Sequence, residues 1–150
     1  ISAARQFGMN LRDIPVRAIY CSPVLRCVQT AKAINEEMSN YATDIILTNK
    51  LGLPGLSIAD TGESGPLYEQ YTTREIYVRY TQEIEMKALT PPSVLAERTL
   101  DFLRSVCKEE GVYLFISHDS IIAHIRYALT GHMYRDDEWV DFLDGFVIKI

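Results

Sequence analysis

Two places in the chain share one design, and together they constrain the fold more than any other feature. In each, a short apolar run ends in a polar turn from which a helix starts. Residues 17–21 lead into Ser22-Pro23, and Val112-Tyr113-Leu114-Phe115-Ile116 leads into Ser117-His118-Asp119. The second run is apolar at five successive positions, which suits a strand buried on both faces, as in a parallel sheet. Ser at an N-cap with Pro at the first helical position is a strong helix start, because the missing Pro N–H has no partner to lose there.

The remaining patterns alternate in the same way. Residues 2–12 carry Ala3, Ala4, Phe7 and Leu11 at helical spacing. The helix after Ser22-Pro23 is expected to run to about Met38, burying Val24, Val28, Ala31 and Ile34. Residues 44–48 read as a short strand. Residues 49–71 hold four glycines and two prolines and read as a long loop, of the kind that covers or shapes a binding site. Thr72 and Glu75 have capping-box spacing and open a helix towards Lys87. A further helix is expected over 94–109, with Leu95, Leu100, Leu103 and Val106 in its core, and another over 120–129. The tail reads as β structure over 139–143 and 145–150. Strands alternating with helices predict an α/β domain, three-layered, with a mostly parallel sheet and helices on both faces.

Composition sets what such a domain is suited to do. The chain has 150 residues, 47% apolar, enough for one domain with a sizeable core. Its apolar stretches are only a few residues long, so none spans a membrane. A net charge of -5 argues against general nucleic-acid binding. Three cysteines without paired spacing read as reduced thiols packed as small core residues, which favours a cytoplasmic setting.

The chemistry belongs at the two strand ends. In open α/β sheets, ligands bind outside the carboxyl ends of strands, where helix N-termini favour anions. Arg26 lies one turn into its expected helix and reaches back towards the strand end; His118 and Asp119 lie at the other. An Arg, a His and an Asp converging there make a phosphate site with a built-in acid. Taken singly, Asp119 reads as an N-cap, His118 as a backbone-bonded histidine and Arg26 as a surface residue. The shared placement at two equivalent strand ends argues for function. His124 and His132 lack that placement and read as structural or surface residues.

Other motifs fail on spacing. Cys21 to Arg26 is one residue short of the C-x5-R loop of cysteine phosphatases and has no glycine to wrap a phosphate. Gly62-Glu63-Ser64-Gly65-Pro66 has Pro where a nucleophile elbow needs Gly. There is no phosphate-binding glycine loop or dinucleotide fingerprint, and the cysteines and histidines lack zinc spacing.

Ser22-Pro23-Val24-Leu25-Arg26-Cys27-Val28-Gln29-Thr30-Ala31 resembles the S-P-x-x-R-x-x-Q-T-A segment of the histidine phosphatase superfamily. Ser117-His118-Asp119 is similar to its second catalytic segment, and Phe142-Leu143-Asp144-Gly145 suits its late β region. The resemblance implies a phosphoglycerate mutase-like fold and a phosphohistidine mechanism that uses neither metal nor cofactor. It makes Arg26 a phosphate clamp, His118 the second, phosphate-holding histidine with Ser117 beside it, and Asp119 the proton donor. In mutase-like members a Glu of the middle loop is the donor, which makes Glu63 and Glu69 rivals.

The family's nucleophile lies in an R-H-G segment on the first strand, and no R-H-G occurs in these residues. The chain opens Ile1-Ser2-Ala3 without an initiator Met, and the attacking histidine is expected upstream of Ile1. The expected activity is phosphomonoester hydrolysis on a phosphorylated small molecule or phosphoprotein. The alternatives are an inactive phosphate- or phosphopeptide-binding module and a phosphoglycerate mutase. Tyr68 and Tyr71 are placed to stack on a substrate ring, but read better as partial core.

Overall fold

The computed structural model describes residues 1–38 and 43–150. Contacts group them into two compact units, one of Ile1–Leu53 and Cys107–His118, the other of Pro54–Val106 and Asp119–Ile150. The end of the expected 22–38 helix is therefore the last described residue before the gap.

The first unit holds α1 (Ser2–Asn10), β1 (Val16–Cys21), α2 (Leu25–Met38), β2 (Ile45–Leu47) and β3 (Val112–Ile116). The strands form a parallel sheet in the order β2-β1-β3, so the chain is α/β as expected. Helix α2 packs on β1 and β3, and α1 packs on α2. The buried face of α1 is Ala4 and Gly8, with Ala3 exposed. A Cβ on Gly8 would lie 2.3 Å from the Ile34 carbonyl oxygen, so the two helices cross at glycine. Helix α2 buries Cys27, Ala31, Ala33, Ile34 and Met38, while Val24 and Val28 are only half-buried.

Two expectations for this unit need correction. β3 is half-buried, with Val112 exposed, because it is the end strand of the three and pairs with β1 on one edge. Ser22 is not an N-cap of α2. Its backbone N–H still donates to Ile116 O at 2.9 Å, so the residue belongs to the sheet ladder and the helix starts at Leu25.

The second unit is helical: α3 (Thr61–Gln70), α4 (Thr73–Thr81), α5 (Pro92–Val106) and α6 (Asp119–Thr130). Helices α4 and α5 pack against α6 over a core that includes Ile76, Leu95 and Ile121. The expected 49–71 loop is largely structured, with a 3-10 turn at Asn49–Leu51 in the first unit and α3 here. Asp60 starts α3 by accepting from Gly62 N and Glu63 N, and Pro66 sits within the helix. The Thr72/Glu75 capping box forms as expected.

Helix α4 stops at Thr81, well short of Lys87. Glu83 adopts φ 57°, and the Ile84 and Glu83 N–H groups donate to Arg79 O and Tyr80 O, a left-handed helix stop. Helix α5 lies slightly earlier than expected and buries Thr99 and Phe102 beside Leu95 and Leu103, leaving Leu100 and Val106 half-buried.

The tail forms no strand among its described residues. Leu143 has φ 64°, and the turn from Asp141 to Asp144 is closed by an N–H to carbonyl bond of 3.0 Å. Val147 is 87% exposed and lacks the ladder partner a strand there would need.

Candidate active site

The parallel register brings three strand ends level. Cys21 stands opposite Leu47 on one side and Ile116 on the other. Just beyond, Thr48 N donates to Cys21 O and Ser22 N to Ile116 O, both at 2.9 Å. The chain leaves β1 through Ser22, β2 through Thr48 and β3 through Ser117, all at one edge of the first unit.

His118 is gripped at both ring nitrogens there. Nε2 lies 2.9 Å from Ser22 Oγ, and Nδ1 lies 2.7 Å from Arg26 Nη2. Arg26 is in the first turn of α2, nearer the strand end than a start at Ser22 would place it, and its side chain is exposed. Two of the residues picked out in the sequence thus meet although 92 positions separate them. Ser117, expected to bind substrate, donates its hydroxyl to Leu51 O at 2.7 Å and so ties the turn to the 3-10 segment.

Three participants escaped the sequence reading. Ser22 is fully buried and serves as the partner of His118 rather than as a helix cap. Its hydroxyl also accepts from Val24 N at 3.3 Å. Gly52 forms a wall: a Cβ there would lie 2.3 Å from Ser22 Oγ and 2.6 Å from His118 Nε2. Cys27 Sγ lies 3.6 Å from Ser117 O and 3.8 Å from His118 Nε2. The Ser of the S-P-x-x-R segment was a usable signal for Ser22; nothing local marks Gly52.

The thiols are poor nucleophiles. Burial, with Cys27 nearby, pushes Cys21 up to about 12. Burial also raises Cys27, against the opposing pull of the Arg26 charge and a hydrogen bond from Ser22. All three cysteines are free.

In the second unit, Asp119 opens α6 with its carboxylate exposed, and Oδ2 accepts a 2.8 Å hydrogen bond from Trp139 Nε1. The indole is held in turn, with the Arg74 guanidinium 4.9 Å from its ring centre and the Tyr77 ring edge-on at 5.3 Å. Glu63 and Glu69, the alternative donors, are exposed on α3. Tyr71 flanks the core, its ring under the Arg79 guanidinium at 4.0 Å, and Tyr68 is 38% exposed. His124 is buried in the core and His132 is exposed, in keeping with structural and surface roles. No three His, Cys, Asp or Glu side chains gather as metal ligands among the described residues. Nor is any helix of those residues long and apolar enough to cross a membrane.

Arg26 and His118 thus meet at adjacent strand ends of a parallel sheet, where open α/β folds bind their ligands. The family model of the histidine phosphatase superfamily (branch 1) matches residues 1–140, and the chain belongs to that superfamily. No curated protein matches it.

Proposed function

We propose that the protein is a phosphomonoester hydrolase that works through a phosphohistidine. The observation that carries this reading is the meeting of Arg26 and His118, 2.7 Å apart where the chain leaves two adjacent parallel strands. Arg26 offers a planar fork of donors matched to two phosphoryl oxygens. His118, fixed from behind by Ser22, offers a further nitrogen to the same group.

In this reading a neutral histidine, supplied by a segment preceding Ile1, attacks phosphorus in line with the ester oxygen. The new N–P bond forms as the P–O bond breaks, and the departing oxygen takes a proton from Asp119, with Glu63 and Glu69 as the rival donors. Water, losing its proton to the carboxylate just formed, then attacks phosphorus and releases inorganic phosphate and the free histidine. No step is routed through a metal or cofactor. The substrate is a phosphorylated small molecule or phosphoprotein, and the free thiols favour the reducing cytoplasm as its setting.

A second reading is a binding module for phosphate or phosphopeptides, which would use the Arg26–His118 pair without an attacking histidine. Turnover of an aryl phosphate by the full-length protein, in the presence of chelator, tests the first reading. Phosphate binding in calorimetry without turnover supports the second. Turnover dependent on bisphosphoglycerate would point instead to a mutase.

A further inference from the structure

We infer that Ser22 and Arg26 hold His118 as one neutral tautomer, with the proton on Nε2, so that an oxyanion binding at Nδ1 brings a proton onto the ring. The inference rests on the phosphate-site reading above and deepens it, because it says in which protonation state the site takes its ligand.

The assignment follows from counting hydrogens. A guanidinium N–H donates and never accepts. At 2.7 Å from Arg26 Nη2, Nδ1 must therefore be the acceptor and carry no hydrogen. A proton on Nδ1 would set two donors against each other, and a doubly protonated ring would add cation to cation. The ring's one hydrogen is then on Nε2, and it donates to Ser22 Oγ at 2.9 Å.

Ser22 closes the count. Its oxygen accepts from His118 Nε2 and from Val24 N, and Cys27 Sγ lies 3.8 Å from the same ring nitrogen. Cys27 in turn directs its S–H to Ser117 O at 3.6 Å. Gly52 blocks the ring from retreating. Arg26 and Cys27, both on α2, are charged or titratable groups against the ring. Cys27 is held neutral by burial.

A phosphoryl oxygen that draws Arg26 to itself would face a bare lone pair at Nδ1. Two acceptors repel, so the complex forms with a proton taken from solvent onto Nδ1. Imidazole becomes imidazolium, and both Arg26 and His118 then donate to the anion. Ser22 is thus a positioning residue: it decides which nitrogen faces the ligand.

The test uses the full-length protein with nitrogen-15-labelled histidine at mildly alkaline pH, and sulfate as the probe, since sulfate carries no titrating proton of its own there. Ring nitrogen shifts are expected to show the Nε2–H tautomer in the free protein and both nitrogens protonated with sulfate. Calorimetry in buffers of different ionisation enthalpy is expected to show close to one proton taken up per sulfate. His118→Gln is expected to bind sulfate without proton uptake. In Ser22→Ala the two tautomers are expected to mix, with sulfate affinity about tenfold lower. An Nδ1–H tautomer, or sulfate binding without proton uptake, overturns the inference while leaving the phosphatase reading in place. If neither sulfate nor inorganic phosphate binds, both fall.

Discussion

The Gly52 backbone runs so close to His118 that a single added methyl would lie 2.6 Å from Nε2 and 2.3 Å from Ser22 Oγ. Glycine is needed here for room: the loop after β2 presses the imidazole against the end of β1. Gly52→Ala is expected to destabilise the fold by about 1–3 kcal/mol through overpacking. It should also weaken phosphate binding, because the ring must tilt. Thermal unfolding and phosphate calorimetry check the two effects together; unchanged values in both would remove Gly52 from this role.

Arg26 is exposed apart from its bond to His118, so removing it should spare the fold. A charged hydrogen bond to a phosphoryl oxygen is worth about 1.5–3 kcal/mol. Arg26→Ala is therefore expected to lower phosphate affinity by at least tenfold with an unfolding midpoint close to the parent's. Arg26→Lys should recover only part of the loss, since an ammonium cannot present a fork. Titration calorimetry on the three proteins gives the order.

Trp139 offers a separate handle on the proton donor. Trp139→Phe keeps a ring for Arg74 and Tyr77 to hold but deletes the N–H that Asp119 Oδ2 accepts. If Asp119 protonates the leaving oxygen, hydrolysis of alkyl phosphates should fall by roughly tenfold. Aryl phosphates, whose leaving groups need less help, should change much less. Steady-state kinetics on one ester of each kind separates this from general damage, which would slow both alike.

His124 should make the second unit sensitive to acid. Burial lowers its pKa from 6.5 to about 4, against the pull of the Ser120 backbone and the Asp119 charge. Between those values the unfolded chain binds a proton that the folded chain refuses. Stability from this group is complete above pH 6.5 and is lost as the pH falls towards 4. Each pH unit in that window costs about 1.4 kcal/mol. Unfolding midpoints measured across it should fall with pH, and His124→Leu should flatten that part of the slope.

Much of this could be read from residues. Ser22-Pro23-Val24-Leu25-Arg26 and Ser117-His118-Asp119 announced two strand ends because chain direction, turn chemistry and helix starts are local. The pairing of Arg26 with His118 followed from placing those ends side by side. Ser22 was misjudged because a serine before proline fits a cap equally well, and only the β1–β3 ladder decides between cap and strand. Helix α3 was missed because its glycines and Pro66 outweighed Asp60 and Glu63, which have the spacing of a helix start. The left-handed stop at Glu83 could not be seen, since nothing but surrounding structure favours that conformation in a glutamate. The tail looked like strand because Val147 and Ile148 favour one, but a strand also requires a neighbour, which a single segment does not reveal.

The register of β1 against β3 has a consequence for how the protein folds. Cys21 pairs with Ile116, and the two ends of the site belong to strands separated by most of the chain. No local fragment carries both Arg26 and His118, so the site does not exist until the two ends of the long chain segment between β2 and β3 have been brought together. That closure is a slow, non-local event. If Arg26 and His118 hold an anion as proposed, it has nothing to hold in the earlier, partly folded chain, and its grip begins only once that closure is complete. Its binding energy therefore goes into the lifetime of the finished fold rather than the speed of reaching it.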